Sequence, residues 1–299
     1  MSTFETIDDV LKALEEHRYI CDRALATAIF LALKMEKPLF LEGEAGVGKT
    51  EVGKVLAEVM NSRLIRLQCY EGLDVSTSLY EWNYPKQILA IKLAEVEHKS
   101  RERVEQHIFT EDFLIRRPLL EAIQCDGEVS PVLLIDEIDR SDEEFEAFLL
   151  EVLSDFQITI PEIGTIKAKL RPMVVITSNR TREIRDALKR RCLYHWIDYP
   201  SFEKELQIVT AKVPGIGKGL ADQICQFMQV IRQGDYLKRP GIAETLDWAA
   251  ALIYLNKDSL DREAVEETLG CIFKYKEDLD KLCKTGVDNI LREALRRCG

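Results

Sequence analysis

Gly43-Glu44-Ala45-Gly46-Val47-Gly48-Lys49-Thr50 has the residue types and spacing of a phosphate cradle. Glycines let backbone N–H groups turn inward around phosphate oxygens. A helix starting directly after them adds the partial positive charge of its N-terminus. Lys49 would reach the β- and γ-phosphates of a nucleoside triphosphate, and the Thr50 hydroxyl would hold Mg²⁺. Glu51, next in the chain, is counted with this nucleotide-binding segment.

A second chemical group follows downstream. Val132-Leu133-Leu134-Ile135 is a continuous apolar run that ends in Asp136-Glu137. Buried parallel strands read this way, and open α/β sheets place ligands at the C-terminal ends of such strands. Asp136 is expected to support Mg²⁺ through water. Glu137 is expected to orient and activate an attacking water as its base. The pair also suits the start of a helix near Asp139-Arg140-Ser141-Asp142, and the two roles are compatible. A third run, Met173 to Thr177, ends at Ser178-Asn179. If this strand neighbours the one before the loop, Asn179 sits beside the γ-phosphate and positions the water with Glu137. An Asn in a strand-ending turn is the plainer alternative.

The elements that must position these groups are legible in the periodicity. Pro38 to Leu41 reads as a short buried strand, and Val52, Val55, Leu56, Val59 and Met60 recur at helical spacing after the loop. Strands are also expected at Leu64–Gln68 and Tyr194–Tyr199, and helices at Ile7–Leu14, Arg23–Met35 and Glu183–Arg191. Lys86 to Gln106 reads as a long, charged helix with a solvated face. Phe156 to Ala168 alternates around Pro161-Glu162-Ile163-Gly164 as a β-hairpin does. Beyond Pro200-Ser201 the strand signals vanish. Helices are expected at Phe202–Lys212, Leu220–Arg232, Ile242–Leu255 and Arg262–Tyr275, with two or three further turns. Pro214 to Gly219 mimics a second phosphate loop, but no strand precedes it, so it is an ordinary inter-helix loop.

The 299 residues are 46% hydrophobic and 31% charged, which is ordinary for a soluble globular chain. No apolar run could span a bilayer, and the first residues lack the pattern of a signal peptide. Eight cysteines lie scattered without C-x-x-C spacing, as reduced cytoplasmic thiols do. His17, His98, His107 and His195 form no ligand pattern, and His195 reads as a packed residue. The net charge of −11 tilts against a nucleic-acid partner.

"GEAGVGKT", "LLIDEIDRS", "VVITSN" and "FQITIPEIGTIKA" together resemble the AAA+ ATPases, and closely the MoxR family, over nearly the whole chain. "FLIRRPLLEAI", "ALKRRC" and "RPGIAETLDWA" resemble the CoxD type within it. The resemblance implies an α/β P-loop NTPase domain over residues 1–200, with a five-stranded parallel sheet between helices. An all-helical lid domain would follow over residues 201–299. It implies ATP and Mg²⁺ as cofactors and a homo-oligomer, a hexameric ring with ATP between subunits. Arg190 or Arg191 would be the arginine finger reaching a neighbour's nucleotide; a cationic helix end is the plainer alternative. By position, Tyr19 and Ile20 would pack on adenine, or serve only as core contacts. Gln68 falls where the family couples partner binding to Glu137. Tyr80, Trp82 and Tyr84 would be exposed in an insert facing a central pore, or pack internally. The family's second sensor Arg directly follows a Pro, but the residue after Pro240 is Gly241. Arg239, just before Pro240, is the substitute candidate, or only part of a solvated Lys238-Arg239 pair.

The function implied is a cytoplasmic chaperone that remodels a protein client. Maturation of a metalloenzyme such as a molybdenum-containing dehydrogenase is the expected task, with a von Willebrand A domain partner. The alternatives are a DNA-directed AAA+ motor, the ATPase subunit of a magnesium-chelatase-like complex, and a non-hydrolysing nucleotide-gated module. Intact Lys49 and Glu137 speak against the last.

Overall fold

A computed structural model describes residues 4–97, 104 and 107–297. The chain divides into two compact units. One comprises Met1–Val10, Arg23–Glu42 and Thr50–Trp196; the other comprises Leu11–Asp22, Gly43–Lys49 and Ile197–Gly299. The phosphate-loop residues therefore group with the C-terminal helices.

The helices of the N-terminal two-thirds are α1 (Ile7–Glu16), α2 (Arg23–Met35), α3 (Lys49–Val59), α4 (Val75–Ser78), α5 (Tyr84–Val96), α6 (Pro118–Ile123), α7 (Glu143–Asp155) and α8 (Asp186–Lys189). The strands are β1 (Leu39–Gly43), β2 (Leu64–Gln68), β3 (Tyr80–Trp82), β4 (Leu114–Arg116), β5 (Val132–Asp136), β6 (Gln157–Ile160), β7 (Gly164–Lys167), β8 (Met173–Ser178) and β9 (Leu193–Ile197). Five of them form a parallel sheet in the order β2-β5-β8-β1-β9.

Every residue of β1, β5 and β8 is buried, which is why these strands read as unbroken apolar runs. The edge strand β2 alternates instead: Ile65 and Leu67 point into the core, while Arg66 and Gln68 share the other face. Register brings the chemistry to one edge. Gln68 pairs with Asp136, Ile135 with Ile176, and Leu41 with Thr177. Gly53 lets α3 approach β5, since a Cβ there would lie 3.0 Å from the Leu134 side chain.

The expected hairpin is β6–β7, turning at Gly164 with φ +102°. Two helix expectations are corrected, and the open alternative for the aromatics is resolved. The helix expected over Lys86–Gln106 starts earlier and stops at Val96, with Asn83 accepting from the Lys86 N–H and Pro85 in the first turn. Residues 98–103, 105 and 106 lie outside the described residues. Trp82 is only 9% exposed, held by β3–β4 pairing and edge-on contacts to Tyr80 and Phe109. Tyr84 alone of the three aromatics is open, at 60%. Finally, α8 is a single turn starting at Asp186 rather than Glu183. The Arg182 guanidinium donates to the Ser141 carbonyl and pairs with Glu146, and the Arg185 N–H donates to the same Glu146 carboxylate. This holds the preceding residues extended.

The second unit's helices are α9 (Phe202–Lys212), α10 (Lys218–Gln233), α11 (Ile242–Tyr254), α12 (Arg262–Ile272), α13 (Lys276–Thr285) and α14 (Val287–Arg297). They bury Trp248, Phe227, Met228 and Leu252 completely, and Trp248 Nε1 donates to Thr268 Oγ1 at 2.7 Å. Where a few turns were expected after Tyr275, two full helices break at Gly286, whose φ of +87° suits glycine. Residues 214–217 form a loop between helices.

Candidate functional site

The loop between β1 and α3 turns at Gly46 (φ +81°) and Gly48 (φ +97°), conformations that side chains with a Cβ rarely adopt. Lys49 is 5% exposed, and its ammonium donates to the carbonyls of Gly43 (2.8 Å) and Glu44 (2.6 Å), so its charge is curled under the loop. Thr50 follows it at the start of α3. Glu51, on the same turn, pairs with Lys54 at 3.4 Å.

Asp136 is 1% exposed. Its Oδ1 accepts from Thr50 Oγ1 (2.9 Å) and Thr177 Oγ1 (2.6 Å), and its Oδ2 accepts from Arg66 Nε (3.1 Å) and Nη2 (2.5 Å). Glu137 adopts a left-handed conformation, φ 56° and ψ 52°, fixed where its N–H donates to Thr177 Oγ1 at 2.9 Å. A non-glycine residue held there costs roughly 1–3 kcal/mol, and such strain collects at functional positions. The turn aims the carboxylate at three donors: Asn179 Nδ2 to Oε1 at 3.1 Å, Gln68 Nε2 to Oε2 at 3.2 Å, and Arg140 Nε to Oε2 at 3.0 Å. β8 does lie beside β1, the condition on which the role of Asn179 depended.

Several of these partners escaped the sequence reading. Arg66 and Thr177 sat inside strand patterns. Asp139 read only as a helix start, yet it is buried and accepts from the N–H groups of Asn179 (3.1 Å) and Thr181 (2.9 Å) and from the Thr181 hydroxyl (2.6 Å). Burial pushes its pKa up, but these hydrogen bonds outweigh burial and hold it below the ordinary Asp value. A depressed folded-state pKa means stability present above the unfolded value and lost as pH falls through the folded one. Thermal melts should therefore show a loss of stability below about pH 4 that is shallower in Asp139→Asn, with the variant less stable at pH 7. An unchanged acid limb in the variant would refute this.

Lys189, grouped in the sequence with Arg190 and Arg191, points inward. Its ammonium lies 3.4 Å from the buried Glu42 carboxylate, which also accepts from Tyr194 Oη at 2.9 Å. Arg190 and Arg191 are exposed, the Arg190 side chain at 82%; Arg191 Nη1 donates to the Ala187 carbonyl at 3.2 Å. His195 is half-buried on β9.

In the second unit, Tyr19 and Ile20 are half-buried and line a cleft of about 600 Å³ with Leu206 and Thr210. Arg239 is exposed and shares a smaller pocket of about 260 Å³ with Glu44, Ala45, Tyr199 and Tyr236. Tyr199 donates to the Arg239 carbonyl at 3.3 Å. The departure at Gly241 has a steric cause. A Cβ there would lie 2.7 Å from the Gly46 carbonyl, and the Ala243 N–H donates to that oxygen at 3.2 Å. No side chain fits after Pro240, an Arg least of all. Gly241→Ala should lower the melting temperature by several degrees through this overpacking, a cost of roughly 1–3 kcal/mol. A melt equal to that of the native chain would show that the approach is not maintained in solution.

Strand–loop–helix, a buried aspartate at the end of β5, one strand removed from β1 across β8, and this strand order define a P-loop nucleotide-binding fold. The model of the AAA domain family (dynein-related subfamily) matches residues 38–192, just over half of the chain, and the chain belongs to that family. Lon protease of Clostridium beijerinckii is 25% identical over 162 residues, 50% of this chain but only 17% of that protein. A Cytophaga hutchinsonii protein described as a candidate ATPase aligns over 96% of this chain and 94% of its own at 15% identity and TM-score 0.48. The Thermotoga maritima RuvB Holliday junction branch migration motor aligns over 83% and 67% at 16% identity and TM-score 0.45. Neither structural likeness bears on function.

Among the described residues, no helix is long and apolar enough to cross a membrane, and the seven described cysteines are free. Nor does any group of three His, Cys, Asp or Glu side chains there suit a metal ion. Mg²⁺ held by one hydroxyl, phosphates and waters needs no such cluster.

Proposed function

We propose that the chain is a Mg²⁺-dependent ATPase of the MoxR type, closest to the CoxD type, that remodels a client protein. The single observation that carries this is the joined pair of carboxylates: Asp136 tied to Thr50, and Glu137 tied to Asn179. The donor set fits the cofactors. Thr50 gives its proton to Asp136, which leaves its oxygen lone pairs for a cation. Gly46 and Gly48 turn the loop as an anion nest requires, and Lys49 brings a positive charge to its floor. Bound Mg²⁺ supplies charge neutralisation on the phosphates. Asp136 would orient its water ligands, Glu137 would take a proton from the attacking water, and Asn179 would hold that water in line.

The exposed Arg190 and Arg191 support a homo-oligomer, a hexameric ring in this reading, in which one of them meets the neighbour's phosphates. ATPase activity per subunit should rise with protein concentration and fall about 10³-fold or more in Arg190→Ala/Arg191→Ala. Full activity in a dilute monomer would refute the ring. For the client, Glu137→Gln loaded with Mg-ATP serves as a trap. Recovery of a von Willebrand A protein with a metalloenzyme subunit would support a maturation role in the cytoplasm. Nuclease-sensitive DNA in the trap would leave the ATPase and move its work to a DNA motor.

A further inference from the structure

Asp136 Oδ2 accepts both of its hydrogen bonds from Arg66, while the neutral hydroxyls of Thr50 and Thr177 occupy Oδ1. Arg66 also bridges to the other carboxylate. Its Nη2 donates to Gln68 Oε1 at 2.6 Å, which turns the Gln68 amide so that Nε2 faces Glu137 Oε2. The arrangement follows from β2: residues two apart share a face, and Gln68 stands in register with Asp136. The Arg66 side chain is half-exposed, so its guanidinium can leave Asp136 for water, whereas Asp136 itself cannot move out.

We propose that Arg66 is a positioning residue that acts as the internal counter-cation of Asp136 and gives way when a divalent cation is drawn to that carboxylate. This rests on the nucleotide reading of the same site. A fixed positive charge beside Asp136 opposes a second cation there. Displacement of Arg66 also removes the hydrogen bond that orients Gln68, and so loosens the hold of Gln68 on Glu137. Arg66 thereby links occupancy of the metal position to freedom of the base.

The test is Mn²⁺ binding to the full chain saturated with ADP, read from the free-ion electron paramagnetic resonance signal. Arg66→Met and Arg66→Gln should each tighten Mn²⁺ about tenfold by removing the opposing charge. Arg66→Lys, which keeps the charge, should stay within about twofold of the native chain by the same argument. ADP affinity in EDTA should be unchanged in all three. Mn²⁺ binding that is unchanged or weaker in Met and Gln variants that remain folded by circular dichroism would overturn the proposal. A native chain that binds no ADP would instead defeat the nucleotide reading.

Discussion

Glu137→Gln should bind ATP as the native chain does and hydrolyse it roughly 10²–10⁴-fold more slowly, the range for loss of a general base. The substitution keeps the shape and one carbonyl oxygen, so the contact with Asn179 or Gln68 survives while the proton acceptor is lost. The strained turn at residue 137 is set by the backbone and by the hydrogen bond to Thr177, neither of which depends on the carboxylate. The effect should therefore fall on the chemical step. Single-turnover hydrolysis and the equilibrium binding of a fluorescent ATP analogue separate the two. Turnover within about threefold of the native rate would remove Glu137 from the role of base.

Arg232→Met should be the most destabilising single change in the helical lobe. Arg232 and Glu205 are both buried, joined by two hydrogen bonds of 2.6 and 2.7 Å. Arg232 also donates to the Pro240 carbonyl (2.8 Å) and Thr245 Oγ1 (3.1 Å), and Glu205 accepts from Thr245 (2.7 Å) and Gln229 (2.8 Å). The network fixes the turn that presents Gly241 to Gly46. Removing one partner leaves a buried charge unpaired, at a cost of about 3–5 kcal/mol. For a lobe of this size that corresponds to a drop of about 10 °C or more in melting temperature. The double variant Arg232→Met/Glu205→Leu should recover much of the loss, because an apolar pair replaces the ion pair without a stranded charge. A double variant less stable than either single one would contradict this account.

Local patterns carried much of this protein. The phosphate loop, the apolar runs of β1, β5 and β8, and the helical lobe were legible because each depends on neighbours within a few residues. Asp136 and Glu137 were legible for the same reason: a strand that ends in carboxylates is a local signal. The alternating hairpin and the boundary of strand signal near Pro200 belong to this group as well.

What tertiary structure alone decided are relations across long separations. Strand order and register, not periodicity, bring Arg66 of an edge strand against Asp136 and place Thr177 under Glu137. Whether Trp82 is open or packed was undecided from sequence because its partners come from β4 and Phe109, distant in sequence. The helix expected from Glu183 shrank to one turn because Glu146, far back in the chain, competes for its backbone and side chains. Gly241 read as a missing Arg until packing set its backbone against Gly46, where no Cβ fits. A sequence records which residues can hydrogen-bond or pack. Which of them meet is settled only when burial of the apolar faces selects one arrangement of strands and helices.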